Sequence, residues 1–295
     1  MQIFLRAVTI LTRSCFMPEL PEVETIKRAV EQTFLNARII GAEVRQPKLR
    51  ESVAPDFAAQ ITGAKIIRLW RLAKYMLTDL DNGLTVIWHF GMSGKIKMES
   101  STDFALEKHD HIIIKTDKGI LIYNDPRRFG LVRLCESSKL LQCAVFKHIG
   151  LDPWDKNLTS AYLQTKFARK KTSVKQALLD QEIICGIGNI YASEILYHAR
   201  IRPDRSCESL KAKDLEAVIL WTRKVLEEAV AAGGSTIHDY RHPDGDIGYF
   251  QEKHCVYNKT GQKCSECRCN ILKTGGIQKI VQNGRSTFYC ATLQK

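Results

Sequence analysis

The sequence predicts an α+β protein of two domains: a β-sandwich with a leading helix, then a helical half that ends in a cysteine-bearing hairpin. Three observations carry this reading. The 295 residues exceed the common size of a single domain. Apolar residues recur in short β-branched or alternating runs between residues 38 and 136, and at helical spacing after about Gly150. Four cysteines, Cys264, Cys267, Cys269 and Cys290, fall within 27 residues near the C-terminus. They open with a C-x-x-C, which reads as metal ligation before it reads as a disulfide.

Residues 1–16, MQIFLRAVTILTRSCF, are apolar with two arginines and no acid. The apolar run is interrupted and no small-residue cleavage pattern follows, so a targeting segment is disfavoured. The expectation is a start codon placed too far upstream, with Met17 as initiator and the extension absent from the mature protein. From Pro21 to Phe34, Val23, Ile26, Val30 and Phe34 recur near helical spacing, and Pro21 and Glu22 suit a first turn. The runs IIGAEV, KIIRLW, KYMLTDL, LTVIWHF, HIIIKT, ILIYND and LVRLCE then read as strands. Turn residues such as Asp81-Asn82-Gly83 and Asp117-Lys118-Gly119 part them, a spacing that suits a sandwich.

Gly150-Leu151-Asp152-Pro153 reads as a linker. Lys175 to Ile184 and Ile190 to Ala199 are helix candidates, separated by CGIGN at 185–189. Ala212 to Ala232 carries Leu215, Val218, Trp221, Val225 and Ala229 on one side and stops at Gly233-Gly234. The polar stretch 235–248 reads as a mobile loop. The domain boundaries expected are therefore 17–150, 151–250 and 251–295.

Forty-four Lys plus Arg against 32 Asp plus Glu leave a net charge of +12, the footprint of a phosphate-rich partner. Arg169-Lys170-Lys171 forms a basic run, and Lys263, Arg268, Lys273, Lys279, Arg285 and Lys295 crowd the C-terminus. Cys15, Cys135, Cys143, Cys185, Cys207 and Cys255 are scattered singly, which fits a reducing cytosol and a cytoplasmic protein. No apolar stretch approaches a membrane span. The G-x-G-N at 186–189 is not a dinucleotide motif, because no βαβ unit surrounds it.

MPELPEVE, Met17 to Glu24, is the most specific string. Removal of Met17 exposes Pro18 as a secondary amine. An α-amino group titrates near ~8, and a helix N-terminus just downstream lowers that value. A neutral amine can attack the sugar carbon C1′ of a nucleotide and form an iminium. Glu19 and Glu22 stand beside it as candidate acid/base groups.

With HFGMSG (His89 to Gly94), DPRRFG (Asp125 to Gly130) and KTSVKQALLDQEIICGIGNIYASEILY (Lys171 to Tyr197), this string resembles the formamidopyrimidine-DNA glycosylase and endonuclease VIII family. The resemblance runs from Met17 almost to the C-terminus. It implies base-excision repair by a bifunctional glycosylase that removes oxidised purines such as 8-oxoguanine and formamidopyrimidines. The same enzyme is then an abasic-site lyase, cleaving by β,δ-elimination through a Schiff base. By resemblance Pro18 is the nucleophile and Glu19 the proton donor. Lys74 moves a proton during β-elimination, and Arg285 grips phosphate and serves δ-elimination.

An enzyme acting on a base inside a duplex must extrude it and fill the hole. The resemblance gives that task to Met92, Arg127 and Phe129, with Arg127 facing the orphaned base and His109 contacting DNA. The segment 171–197 is similar to the family's helix-two-turn-helix, which implies that Lys171, Lys175 and Asn189 meet the DNA backbone or the lesion. Asn189 can cap the second helix while its free N–H groups meet a phosphate. Glu22, Lys175 and Tyr249 are the implied lesion pocket. GYF at 248–250 follows the loop that in the glycosylase branch covers an extruded purine. The implied partner is double-stranded DNA with damaged bases, bound by a monomer. Two alternatives stand: an endonuclease VIII type enzyme for oxidised pyrimidines, and a lesion-binding protein without catalysis if residues 1–17 stay attached.

The family's terminal, zinc-finger-like β-hairpin holds one structural zinc ion between two C-x-x-C knuckles, and such a site wants four ligands. Cys264 and Cys267 supply the first knuckle, but the second reads Cys290-Ala291-Thr292-Leu293. Twenty-two residues part Cys267 from Cys290, with Lys273-Thr274-Gly275-Gly276 marking an insertion. Cys269 is a substitute fourth ligand, awkwardly placed with only Arg268 between it and Cys267. A weakly held ion loosens the hairpin that delivers Arg285, so DNA affinity suffers before chemistry. Chelator treatment should therefore lower lesion cleavage only in part. Complete loss, with one tightly bound zinc per chain by metal analysis, would contradict that expectation.

Overall fold

The computed structural model describes residues 17–100, 104–235, 250–268 and 270–295. The expected extension at 1–16, Tyr249 with nearly all of the 235–248 loop, and Cys269 lie outside the described residues. Helix α1 spans Leu20–Phe34. Pro21 sits in its first turn, where its missing N–H costs nothing, and the Glu22 carboxylate turns back to accept from Glu19 N at 2.9 Å.

The strands follow as β1 (Ile39–Val44), a short helix α2 (Phe57–Ile61), β2 (Ile66–Leu72), β3 (Tyr75–Leu80), β4 (Leu84–His89), β5 (Lys95–Glu99), β6 (Asp110–Thr116), β7 (Gly119–Asn124) and β8 (Leu131–Glu136). They form two four-stranded antiparallel sheets, ordered β1-β6-β7-β5 and β2-β3-β4-β8. Met76, Val86, Trp88, Ile112, Ile114, Tyr123 and Val132 fill the space between them, and Val23, Ile26, Val30 and Phe34 of α1 join the same core. All seven strand runs read from the sequence are present. Strand β5 escapes that reading because it is an edge strand whose lysines alternate with only Ile96 and Met98, a common way to blunt an open edge. Helix α2, five residues long, is too short for a periodic signal.

The second half holds α3 (Ser160–Phe167), α4 (Val174–Leu179), α5 (Asn189–His198), α6 (Ala212–Ala231), α7 (Phe250–Lys253), α8 (Ile271–Thr274) and the hairpin β9 (Gln278–Gln282) with β10 (Arg285–Tyr289). Helix α4 stops at Leu179, five residues before the expected Ile184. Ile183 and Ile184 are apolar because a turn carries them into the core, not because the helix continues. The hairpin is not a separate unit: Cys264, Cys267, Ile277, Phe288 and Cys290 lie in one core with α3, α4, α5 and α6. No described helix is long and apolar enough to cross a membrane.

The two halves are pinned at the start of α1. Leu20 belongs to the second core, and its N–H donates to Gly186 O at 3.1 Å. Arg71 of β2 reaches Glu24 at 3.4 Å and Asp152 at 3.0 Å, tying α1 and the second half to the sheet. Gly186 has φ +92°, and a Cβ there would lie 2.5 Å from Leu20 Cδ1. Gly186→Ala should therefore cost about 2–3 kcal/mol through combined backbone strain and overlap. Thermal denaturation checks this, and an unchanged midpoint would show that Leu20 is not held against this turn.

Candidate active site

Glu19, immediately before α1, sends its carboxylate across the domain boundary to the start of α5. It accepts from Ile190 N at 2.9 Å and Tyr191 N at 3.4 Å, where the helix dipole favours negative charge. Gly188 makes this approach possible, since a Cβ there would lie 2.2 Å from Glu19 Cδ. The expectation that Asn189 caps α5 and leaves its N–H groups to a phosphate is thereby corrected. Gly188 is the cap residue, Asn189 opens the helix, and the glutamate has taken the donors.

Asn189 instead joins a network that holds the hairpin. Its side chain accepts from Lys175 Nζ at 2.6 Å and donates to Ser286 O at 3.0 Å and Tyr257 Oη at 3.3 Å. Lys175, buried on α4, also donates to Ser286 O at 3.1 Å and Thr287 Oγ1 at 2.6 Å. All three ammonium protons are thus engaged within the protein, and a contact to a lesion would require exchanging one of these bonds. Burial pulls the Lys175 pKa down to about 7. Glu22 is fully buried and accepts from Tyr191 Oη at 2.6 Å and Ser235 N at 2.8 Å besides Glu19 N. It stands behind Glu19 and does not line the cleft described next.

A cleft of about 940 Å³ opens between the halves, lined among others by Met17, Glu19, Arg50, Lys74, His89, Met92, Asn189 and Arg285. Pro18 is buried next to Glu19, with Met17 exposed ahead of it. Lys74 follows Ala73, whose φ of 53° is a strained backbone that Arg71 braces by donating to Ala73 O at 3.0 Å. Burial lowers the Lys74 pKa and nearby Arg285 lowers it further, against the attraction of Glu19. Burial raises Glu19 to about 7, opposed by Lys74 and aided by Glu22. His89 is held neutral, its pKa pushed by burial, Arg50 and Lys74 down to about 3. Arg285 stands exposed just after the turn Asn283-Gly284, whose φ values of 46° and 73° suit a tight hairpin.

Ser93, next to Met92, ties that turn to the Arg127/Phe129 loop. Ser93 Oγ donates to Asp125 Oδ1 at 2.5 Å and accepts from Arg127 N at 3.1 Å. Arg127 and Phe129 are both exposed, the guanidinium lying 4.7 Å from the ring centroid. Such an exposed cation and aromatic on one loop tip suits contact with bases. His109 is half-buried beside His111 ahead of β6, and Lys171 is exposed before α4; neither lines the cleft. Ser235, Tyr257 and Arg50 share in this site without any motif having marked them, and Tyr191 does so from within the 171–197 string without having been singled out. Their roles arise only from distant segments meeting.

The sulfurs of Cys264, Cys267 and Cys290 all lie within 4.8 Å of one another and are buried, so this cluster can bind a metal ion. Leu293 is partly buried and packs on the same core, offering no donor atom. Three thiols fit three places of a four-coordinate site. Tyr197 Oη lies 3.2 Å from Cys264 Sγ.

A β-sandwich facing a helical half across a cleft lined by Glu19, Lys74, Arg50 and Arg285 defines a two-domain DNA-binding protein of the helix-two-turn-helix class. Residues 17–132 match the model of the formamidopyrimidine-DNA glycosylase N-terminal domain, and residues 149–241 that of the formamidopyrimidine-DNA glycosylase H2TH domain. The chain belongs to the formamidopyrimidine-DNA glycosylase family. It is 39% identical to the formamidopyrimidine-DNA glycosylase of Dinoroseobacter shibae and 42% identical to that of Paracoccus denitrificans, each covering 95% of this chain and 100% of the relative. A Lactococcus lactis FPG mutant in complex with a Fapy-dG containing DNA superposes with TM-score 0.86 at 32% identity, over 94% of this chain and 100% of that one.

Glu19 carries a pH signature. Its folded pKa of about 7 lies above the value of 4.5 for the free side chain, so the folded chain binds the proton more tightly. This group supports folding below pH 4.5 and loses that support as pH rises through about 7. Relative to Glu19→Gln, the wild type should lose up to about 3 kcal/mol between those limits. Denaturant melts of both proteins at several pH values test it, and a pH-independent difference would refute the raised pKa.

Proposed function

We propose that this chain is a base-excision-repair DNA glycosylase that removes oxidised purines and then cleaves the abasic site by β,δ-elimination, with Pro18 as its nucleophile. The observation that carries the reading is the Glu19 carboxylate, buried against the start of α5 beside Pro18 and across the cleft from Lys74, with its pKa raised to about 7. Near neutral pH such a carboxyl is shared between acid and base forms, as a proton donor to a leaving base requires. Pro18 N attacks C1′, the C1′ to base bond breaks, and the base leaves with the proton from Glu19. Pro18 N then loses its proton and the C1′–O4′ bond opens as O4′ takes up a proton, and the iminium so formed acidifies C2′–H. Loss of that proton expels the 3′ phosphate, with Lys74 serving the transfer, and Arg285 grips phosphate for the second elimination.

In the chain as written Pro18 N is an amide without a basic lone pair, so attack requires that Pro18 be the first residue. The start of the matched family domain at Met17 supports that processing. Met92, Arg127 and Phe129 fill the helix where the base has left, and His109 and Lys171 hold the DNA backbone. Glu22, Lys175 and Tyr249 serve the lesion pocket. The Fapy-dG in the matched Lactococcus lactis complex supports purine lesions as substrate. Cys264, Cys267 and Cys290 hold zinc, which when bound stiffens the hairpin that carries Arg285. The protein acts as a cytoplasmic monomer, a placement supported by its scattered single cysteines.

Borohydride trapping on duplexes containing 8-oxoguanine tests the mechanism. A chain beginning at Pro18 should form a covalent complex, and one retaining residues 1–17 should bind without being trapped. Glu19→Gln in the processed chain should slow base release by ~10²–10⁴-fold. Trapping by the unprocessed chain would overturn the role of Pro18, and faster release of oxidised pyrimidines would move the protein to the endonuclease VIII type.

A further inference from the structure

Away from the cleft, α5 carries Glu194 and His198, four residues apart and so on one face. Cys255, two residues past α7, sits against both. One donor atom from each of the three lies within 4.8 Å of the other two, and Cys255 Sγ is 3.7 Å from His198 Nε2. The base-excision chemistry uses none of them.

Each residue keeps one atom able to ligate, the Cys255 thiol lying 3.7 Å from both His198 Nε2 and Lys253 O. Glu194 Oε1 accepts from Val256 N at 3.0 Å and Tyr257 N at 2.7 Å, which occupies both of its lone pairs. Among the described residues Oε2 accepts from Cys255 N alone, at 2.7 Å, which leaves it one lone pair. The His198 ring is stacked on Trp221, centroids 4.6 Å apart at 20°, so its orientation is set by packing. Its Nδ1 faces Glu266 Oε1 at 3.9 Å, leaving Nε2 toward Cys255. At 3.9 Å the Glu266 carboxylate is not hydrogen-bonded to Nδ1; an approach of about 1 Å would give the histidine–carboxylate pairing usual around bound metal.

We propose that Glu194 Oε2, His198 Nε2 and Cys255 Sγ form a second zinc site, separate from the Cys264, Cys267 and Cys290 cluster, with water in the fourth place. One thiolate, one imidazole and one carboxylate make a donor set that zinc accepts in tetrahedral geometry. With bonds of ~2.0–2.3 Å, tetrahedral donors stand roughly 3.3–3.8 Å apart. The sulfur to nitrogen separation already fits, and the remaining pairs, within 4.8 Å, close by up to about 1.5 Å. Binding exchanges the Cys255 S–H bond for a zinc–sulfur bond and releases the proton to solvent. The ion would join α5 to the segment that leads into the cysteine knuckle. That is a brace for a hairpin in which Leu293 has removed a ligand.

The test uses the full-length chain, stripped with a chelator and titrated with Zn²⁺, and with Co²⁺ for its thiolate charge-transfer band. His198→Ala and Cys255→Ser should each abolish the uptake of one ion per chain. In the same proteins, the ion that depends on Cys264 and Cys290 should be retained, and stripped Cys255→Ser should melt like stripped wild type. Cys264→Ser with Cys290→Ser should leave an ion that His198→Ala then removes. Unchanged stoichiometry and affinity in both His198→Ala and Cys255→Ser would overturn the site. His198→Asn, which keeps a planar side chain against Trp221, replaces the alanine variant should that one fold poorly, and retention of both ions in it would equally overturn the site.

Discussion

The contact on which the rest of the molecule depends is the carboxylate of Glu19 at the N-terminal end of α5. It joins the first residue before one domain's leading helix to the first turn of the other domain's central helix. A carboxylate accepting two backbone N–H bonds at a helix start is electrostatically well placed, yet its burial opposes the charge. Burial wins, and the side chain titrates near neutrality instead of in the usual acid range. Position and protonation therefore have one cause. The packing that fixes the two halves relative to each other is the same packing that desolvates the acid.

The glycines at 186 and 188 serve this contact. Each leaves room for a side chain from the start of α1, Leu20 in one case and Glu19 in the other. Glu22 then secures the arrangement from behind through Tyr191 and Ser235, the last described residue before 250. Ser235 is thus anchored to the acid pair. The hairpin is fixed from a second direction, by the buried Lys175 ammonium and Asn189 gripping Ser286 and Thr287. Removing either partner would leave buried polar groups unpaired, which is costlier than the bond's own worth. Arg285 inherits its place from that grip as much as from any metal below it.

That second anchorage bears on the incomplete knuckle. Leu293 contributes apolar packing where a ligand would contribute coordination, and Gln294 is buried beside it with its own bonds, accepting from Cys290 N at 2.7 Å and donating to Ile201 O at 2.8 Å. The chain's end is held by hydrogen bonds and core contacts, so the hairpin does not rest on a single ion. The three thiols and the Glu194, His198, Cys255 group flank the same short segment, and Glu266 lies between Cys264 and Cys267 while facing His198. Ligand chemistry is therefore spread around the segment rather than concentrated at its tip.

Much of this is legible in the amino-acid order. Periodicity alone marks α1, α6 and seven of the eight sandwich strands, because each buries one face and the pattern records it. The string MPELPEVE, the loops around Met92 and Phe129, and the cysteine spacing point to the site residues one at a time. Edge strand β5, the short α2 and the end of α4 are hidden from such a reading, since lysines on an exposed edge and isoleucines in a buried turn carry the opposite signal from the structure they adopt. What only the tertiary structure decided is which groups meet. Nothing in the order of residues says that Glu19 takes the α5 donors meant for a phosphate, or that Lys175 spends its charge on the hairpin. These bonds span 171 and 112 positions along the chain, and partners so distant are chosen by packing, not by local pattern.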